Sequence, residues 1–206
     1  MNYPTFNQYI HLTNLGAHFS TASSQVNAER AALQLLLNNA ITPKLKDYLA
    51  ALKTDSDIPA FQQVIALFNQ GYITAADFPT ELKGQSFELN LAKRLAQLSD
   101  TQHSLLCDQE GFLIAYAGFD IDQAEQAAVL AIEISGLQAK RQHNINEFSG
   151  THASSISIAD EEGNTQMRFL PIHFKQQIFI LAIQGQAQIQ QDSFTQLIWL
   201  LSQRYS

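Results

Sequence analysis

Few side chains in this sequence could do chemistry. They are the six histidines (His11, His18, His103, His143, His152 and His173) and the single cysteine, Cys107. Imidazole serves as a metal ligand or a general base, but each role needs a partner at a defined spacing. No H-E-x-x-H pattern occurs, and no histidine stands in a close His/acid cluster. His143 and His152 flank a loop and could meet in space. The run Gly150-Thr151-His152-Ala153-Ser154-Ser155 puts a histidine beside serines. It lacks the positioned acid and the strand-turn-helix context of a hydrolase elbow. Cys107 lies in the apolar run Leu105-Leu106-Cys107, where an inert core thiol is expected rather than a nucleophile. Neither phosphate-binding glycine pattern, G-x-x-x-x-G-K-[ST] or G-x-G-x-x-G, is present. The acidic turns Asp108–Gly111 and Asp160–Asn164 are too short to be calcium loops. These residues predict no catalytic group, no cofactor and no metal site, and hence a protein that is not an enzyme.

Composition narrows the function classes further. The chain has 206 residues, 46% of them hydrophobic and 15% charged, with a formal charge of −7. That is enough apolar material for a core and too little charge for disorder. Gripping a phosphate backbone takes a basic face, so nucleic acid is not an expected partner. One cysteine excludes an internal disulfide and suits a reducing compartment. The longest apolar runs, such as Ile178–Ile183, are far short of the roughly 20 residues of a spanning helix. Met1–Ile10 lacks the basic start of a secretion signal. The expectation is a cytoplasmic protein without a membrane partner.

The elements that would position any site fall into two halves. Residues 1–98 read as a small all-helical region with no strand-like alternation. Thr42 and Pro43 predict an N-cap and first turn ahead of Leu45, Tyr48, Leu49 and Leu52. Asp57-Ile58-Pro59 precedes a face of Phe61, Val64, Ile65 and Phe68, which Gly71 should end. Ser24–Asn39 (with Val26, Leu33, Leu36 and Leu37) and Gln85–Leu98 (with Leu89, Leu91, Leu95 and Leu98) show the same stripes. Val64–Gln70, Gly71 and Thr74–Asp77 could form a helix-turn-helix. Seven basic and seven acidic residues up to position 95 leave no basic cluster to support DNA binding.

From residue 99 to 206 the period becomes two, and five basic residues face twelve acidic ones. His103–Asp108 and Phe112–Gly118 form one expected hairpin, Ser155–Asp160 and Thr165–Lys175 another. Both links place acidic residues before a glycine that can close the turn. The change of face near Pro171 suggests a bulge or kink. Gln177–Gln184 is apolar on both faces, as in the middle of a covered sheet. Helices are expected at Asp122–His143 and Asp192–Tyr205. The fold class is α+β, an antiparallel sheet with helices packed on it, with a boundary near Ser99–Gln102.

The helix at Asp122–His143 has three apolar stripes: Ala124, Ala128 and Ala131; Val129, Ile132 and Gly136; Leu130, Ile134 and Leu137. One sheet covers an arc of only about 100 degrees. The excess, with small residues such as Ser135 and Gly136, points to a homodimer in which the helix meets its copy. The competing reading has the N-terminal helices cover it. Ser155, Ile156, Ser157 and Ile158 alternate with few edge-protecting charges. They could pair with a symmetry mate, or could form an ordinary interior strand. The expected dimer interface is Ala124, Ala128, Val129, Ala131, Ile132, Ser135, Gly136, Ser155, Ile156, Ser157 and Ile158.

Residues 104–206 resemble the roadblock (dynein light-chain) family. The resemblance is carried by Leu105–Asp120 (LLCDQEGFLIAYAGFD), with Asp108, Gly111, Ala115, Gly118 and Asp120, by the alanine-rich helix Ala124–Gln138, and by the order of the elements that follow. It implies a profilin-like five-stranded antiparallel sheet flanked by helices. It also implies homodimers joined through the long helix and an edge strand, and a mostly non-catalytic role as scaffold or regulator of small Ras-like GTPases. The helical region at residues 1–98 is extra to the common family pattern. An alternative is a small-molecule-sensing or protein-protein adaptor module in bacterial signalling that has no GTPase partner.

Overall fold

A computed structural model describes residues 3–25, 27–52, 59–81, 87–150, 154–174 and 177–205. The expectations at Val26, Asp57–Ile58, Gln85 and His152 lie outside the described residues. In chain order the first elements are β1 (Tyr9–Leu12), α1 (Asn14–Thr21), α2 (Ala28–Leu37), α3 (Leu45–Ala51), α4 (Ala60–Asn69) and β2 (Ile73–Ala76). There follow α5 (Phe87–Ala96), β3 (Ser104–Asp108), β4 (Leu113–Ala117), α6 (Ile121–Ser149), β5 (Ile156–Ala159), β6 (Thr165–Phe174), β7 (Gln177–Gln184) and α7 (Asp192–Tyr205). They form two compact units, residues 1–84 with 190–206, and residues 85–189.

The first unit is helical except for a ribbon in which β1 and β2 pair antiparallel, Ile10 opposite Ala75 and Leu12 opposite Ile73. The ribbon corrects the all-helical expectation. It also removes the helix-turn-helix reading, because Ile73–Ala76 is a strand and not the start of a second helix. These four-residue strands are too short for alternation to register. Gly71 does end α4, at φ +75°. Thr42 is not a helix cap. Its Oγ1 accepts from the Thr80 N–H at 2.9 Å, and α3 starts after Lys44 without a side-chain cap. Thr13 and Asn27 cap α1 and α2, accepting from Gly16 N–H and Arg30 N–H. The core joins Ile10, Leu33, Leu36, Leu45, Val64 and Leu67. Inside it, the Tyr48 hydroxyl donates to Ala32 O at 2.8 Å.

The terminal helix belongs to this unit, where the sequence placed it with the sheet. It packs on α1 and α2. Trp199 Nε1 donates to Asn39 O and Gln203 Nε2 to Leu37 O, which satisfies carbonyls at the open end of α2.

The second unit is a five-stranded antiparallel sheet of order β4-β3-β7-β6-β5. β7 sits in the middle, as its two apolar faces require. Leu105, Ala182, Phe169 and Ile156 line up across β3, β7, β6 and β5. Leu105, Cys107, Phe169, Ile180 and Ala182 pack on Ala128 and Ala131 of α6. α5 lies along β3 and β4, where Ser104 Oγ donates to Leu95 O at 2.6 Å. Pro171 makes no bulge: β6 and β7 keep one register from Met167 to Phe174. Proline fits because β5 pairs β6 only as far as Phe169, so beyond it one side of β6 needs no donor. The expected break near Ser99–Gln102 falls inside this unit, because α5 packs on the sheet.

Candidate functional site

The family-like stretch Leu105–Asp120 resolves into backbone requirements. Asp108 Oδ1 accepts from the N–H groups of Glu110 and Phe112, both at 2.9 Å. Asp160 Oδ1 repeats this with Glu162 and Asn164. Gly111 and Gly163 take φ +89° and +87°, a conformation that disfavours side chains. These are two copies of one hairpin loop. The backbone N–H of Asn164 leads the contacts that hold the Asp160 carboxyl below its usual range. Gly118, at φ +77°, leaves no room for a Cβ beside Gln102 O and the His103 ring. Asp120 opens α6 with a capping box, accepting from Gln123 N–H while Gln123 Oε1 accepts from Asp120 N–H.

That cap aims α6 along the sheet and decides which stripe is used. Ala124, Ala128, Ala131 and Ser135 are buried against the protein's own strands. They are not on the outward face, which departs from their expected interface role. The reason is steric: the smallest side chains go where a helix approaches a sheet most closely. Of the other expected helix residues, Ile132 is half-buried and Gly136 is exposed, with open space where a Cβ would stand. Val129 is 58% exposed and Leu137 54%. α6 therefore carries a solvent-facing apolar line that the sheet does not use.

β5 is an edge strand, so the interior-strand alternative does not hold. Ser155 and Ile156 are half-buried, and Ser157 and Ile158 are exposed. Ile156 and Ile158 pair with Phe169 and Met167, residues that pack on the α6 side of the sheet. The structure thus brings Val129, Ile132 and Gly136 onto the same side as a strand whose outer backbone groups have no strand partner among the described residues.

The reactive side chains do not converge. Cys107 is fully buried. Burial first, then the neighbouring Asp108 charge, pushes its thiol up to about 12. His11 is held by Phe78 O and Thr80 Oγ1, and His103 by Thr101 O. Among the described residues no three His, Cys, Asp or Glu side chains are grouped to hold a metal. No helix among them is long and apolar enough to cross a membrane. Sequence reasoning missed a cleft of about 410 Å³ in the first unit. Its walls come from separated segments. Its one sequence signal is the partly polar stripe Asp192, Thr195, Gln196 and Trp199 beside the apolar face of Phe194, Leu197, Ile198 and Leu201 in α7.

No protein-family model and no curated protein matches the sequence. The chain is similar in structure to the Roadblock/LC7 domain from Streptomyces avermitilis, at 13% identity and TM-score 0.39, over 57% of this chain and 95% of that one. It is also similar to Myxococcus xanthus MglB, at 11% identity and TM-score 0.36, over 58% of this chain and 94% of that one. The second unit has the element order hairpin, long helix, then three strands in a five-stranded antiparallel sheet.

Proposed function

We propose that the protein is a non-catalytic, homodimeric roadblock-type scaffold that binds a small Ras-like GTPase and biases its nucleotide cycle. One observation carries the reading. The apolar α6 side chains left exposed (Val129 and Leu137) and the open edge of β5 (Ile156–Ala159) lie on the same side of one sheet. A second copy satisfies both needs at once. It buries the apolar side chains, each worth about 1.5–3 kcal/mol when fully covered, and it pairs the edge backbone. The surface is isologous, as a two-fold dimer requires. The GTPase partner follows from the resemblance of residues 104–206. A scaffold shifts a nucleotide cycle only through different affinities for the two forms.

Sedimentation at about 10 μM, above the usual dissociation constants of stable dimers, tests the first step. The expected species is a dimer, and Val129→Asp yields a folded monomer. A monomeric wild type overturns the reading. Capture of a Ras-like GTPase from the same genome, loaded in turn with GTP and GDP, tests the second step. Equal binding to both forms, or none, removes the GTPase role.

A further inference from the structure

The cleft in the first unit has the size of a small-molecule site. It is walled by β1, by the end of α2 at Leu36 and Leu37, by the segments at Thr42 and Thr80, and by the first two turns of α7. α7 turns Asp192, Thr195, Gln196 and Trp199 toward it, at helical spacing along one line. The rest of α7 is packing: Phe194, Leu197, Ile198 and Leu201 are fully buried. A line needed only for packing would carry leucine or alanine.

Gln196 stands out within that line. Its Oε1 is buried and has no hydrogen-bond partner among the described residues. An unmet buried acceptor is unfavourable unless another molecule supplies the donor. Its neighbours are not loosely made. The Thr195 hydroxyl donates to Asn14 Oδ1 at 2.5 Å, and Asn14 Nδ2 donates to Gln190 O. Charge then selects the ligand. Among the described residues of the lining, Asp192 is the only acidic one and none is lysine or arginine. The His11 ring is engaged at both nitrogens, with Nε2 facing the Phe78 carbonyl. An anion would meet no cationic side chain among the described lining, and at the partly positive N-terminus of α7 it would meet the Asp192 carboxylate. A cation would meet the Asp192 carboxylate and the Trp199 indole, and the Gln196 amide lines the cleft with its oxygen turned out of the open space.

We propose that this cleft binds a small organic amine. Asp192 and, once its side chain turns into the cleft, Gln196 Oε1 receive the ammonium N–H groups, and the hydrocarbon or aromatic body lies against Trp199, Leu36 and Leu37. The site lies within the first unit and does not depend on the dimer or on a GTPase.

Trp199 is the chain's one tryptophan, so its fluorescence reports occupancy directly. The probes are 2-phenylethylamine, its neutral counterpart 2-phenylethanol and the anion 3-phenylpropionate. The expected result is a saturable change with the amine, binding about tenfold weaker for the alcohol, and none for the carboxylate. Asp192→Asn weakens the amine about tenfold and leaves the alcohol unchanged. Gln196→Leu removes amine binding and raises the thermal midpoint, because an apolar side chain replaces an unmet acceptor. If that variant fails to fold, Gln196→Glu decides instead by tightening the amine. No saturable response up to about 10 mM amine, equal response to all three probes, unchanged amine affinity in Asp192→Asn, or weakened affinity in Gln196→Glu would each overturn the proposal.

Discussion

α6 and α7 are both apolar over more than one face, yet the structure treats them oppositely. α7 sinks Phe194, Leu197, Ile198 and Leu201 completely and opens only its partly polar line to the cleft. α6 sinks only Ala124, Ala128 and Ala131, with Ser135 and Gln138, and leaves Val129 and Leu137 more than half exposed. The width of an apolar arc reports that a helix needs covering. It does not report which surface covers it. Side-chain size adds that information: Ala124, Ala128 and Ala131 mark close approach to the protein's own sheet, Leu130, Ile132 and Ile134 flank it half-buried, and Val129 and Leu137 stand outside it.

Three measurements would break or sharpen this contrast. The largest effect is expected from Phe194→Ala, which hollows the fully buried side of α7. It should lower stability by about 3–5 kcal/mol in urea unfolding. A loss below about 1 kcal/mol would mean that α7 is not held as described. Next come two adjacent positions on α6. Ala128→Leu overfills the contact with Leu105, Cys107 and Phe169 and should cost about 1–3 kcal/mol. Val129→Leu, one residue on, should stay within about 0.5 kcal/mol. Equal effects would erase the distinction between the inner and outer lines of α6.

The smallest effect concerns Cys107, which faces that inner line. Its folded-state pKa is raised to about 12. Below the ordinary thiol range, near pH 8.5, both states keep the proton and the contribution is constant. Above that range the unfolded chain releases a proton that the fold retains, so stability falls as pH rises toward the folded-state value. Between about pH 8 and pH 10 the wild type should lose on the order of 1 kcal/mol more than Cys107→Ala. Tyr48, raised by burial in the same direction, cancels from that difference. Identical pH slopes would show that the thiol is not buried against α6. Rapid thiol labelling of the native protein would show the same.

Much of the sheet unit was legible because its signals are local. Asp108, Gly111, Asp160 and Gly163 set two identical loops through backbone contacts within four residues. Gly118 and Asp120 then turn the chain and start α6 through equally short-range contacts. The β1–β2 ribbon was not legible. Its strands are four residues long and some sixty residues apart. Neither was Thr42, whose expected capping role was taken by a contact to Thr80. The candidate surface was half legible. Of the residues expected at an interface, Val129, Gly136, Ser157 and Ile158 are exposed and Ile132, Ser155 and Ile156 half-buried, whereas the alanine stripe faces the protein's own sheet.

The sequence alone determined the antiparallel α+β architecture, the hairpin chemistry and the central place of β7. Periodicity and turn residues act over a few positions and need no partner to be read. Tertiary structure decided that α7 joins α1 and α2, that the alanines of α6 point inward, and that Asp192, Gln196 and Trp199 share a cleft with β1. Those outcomes depend on which surfaces meet, and the competition for burial among distant segments settles that only once the whole chain has folded.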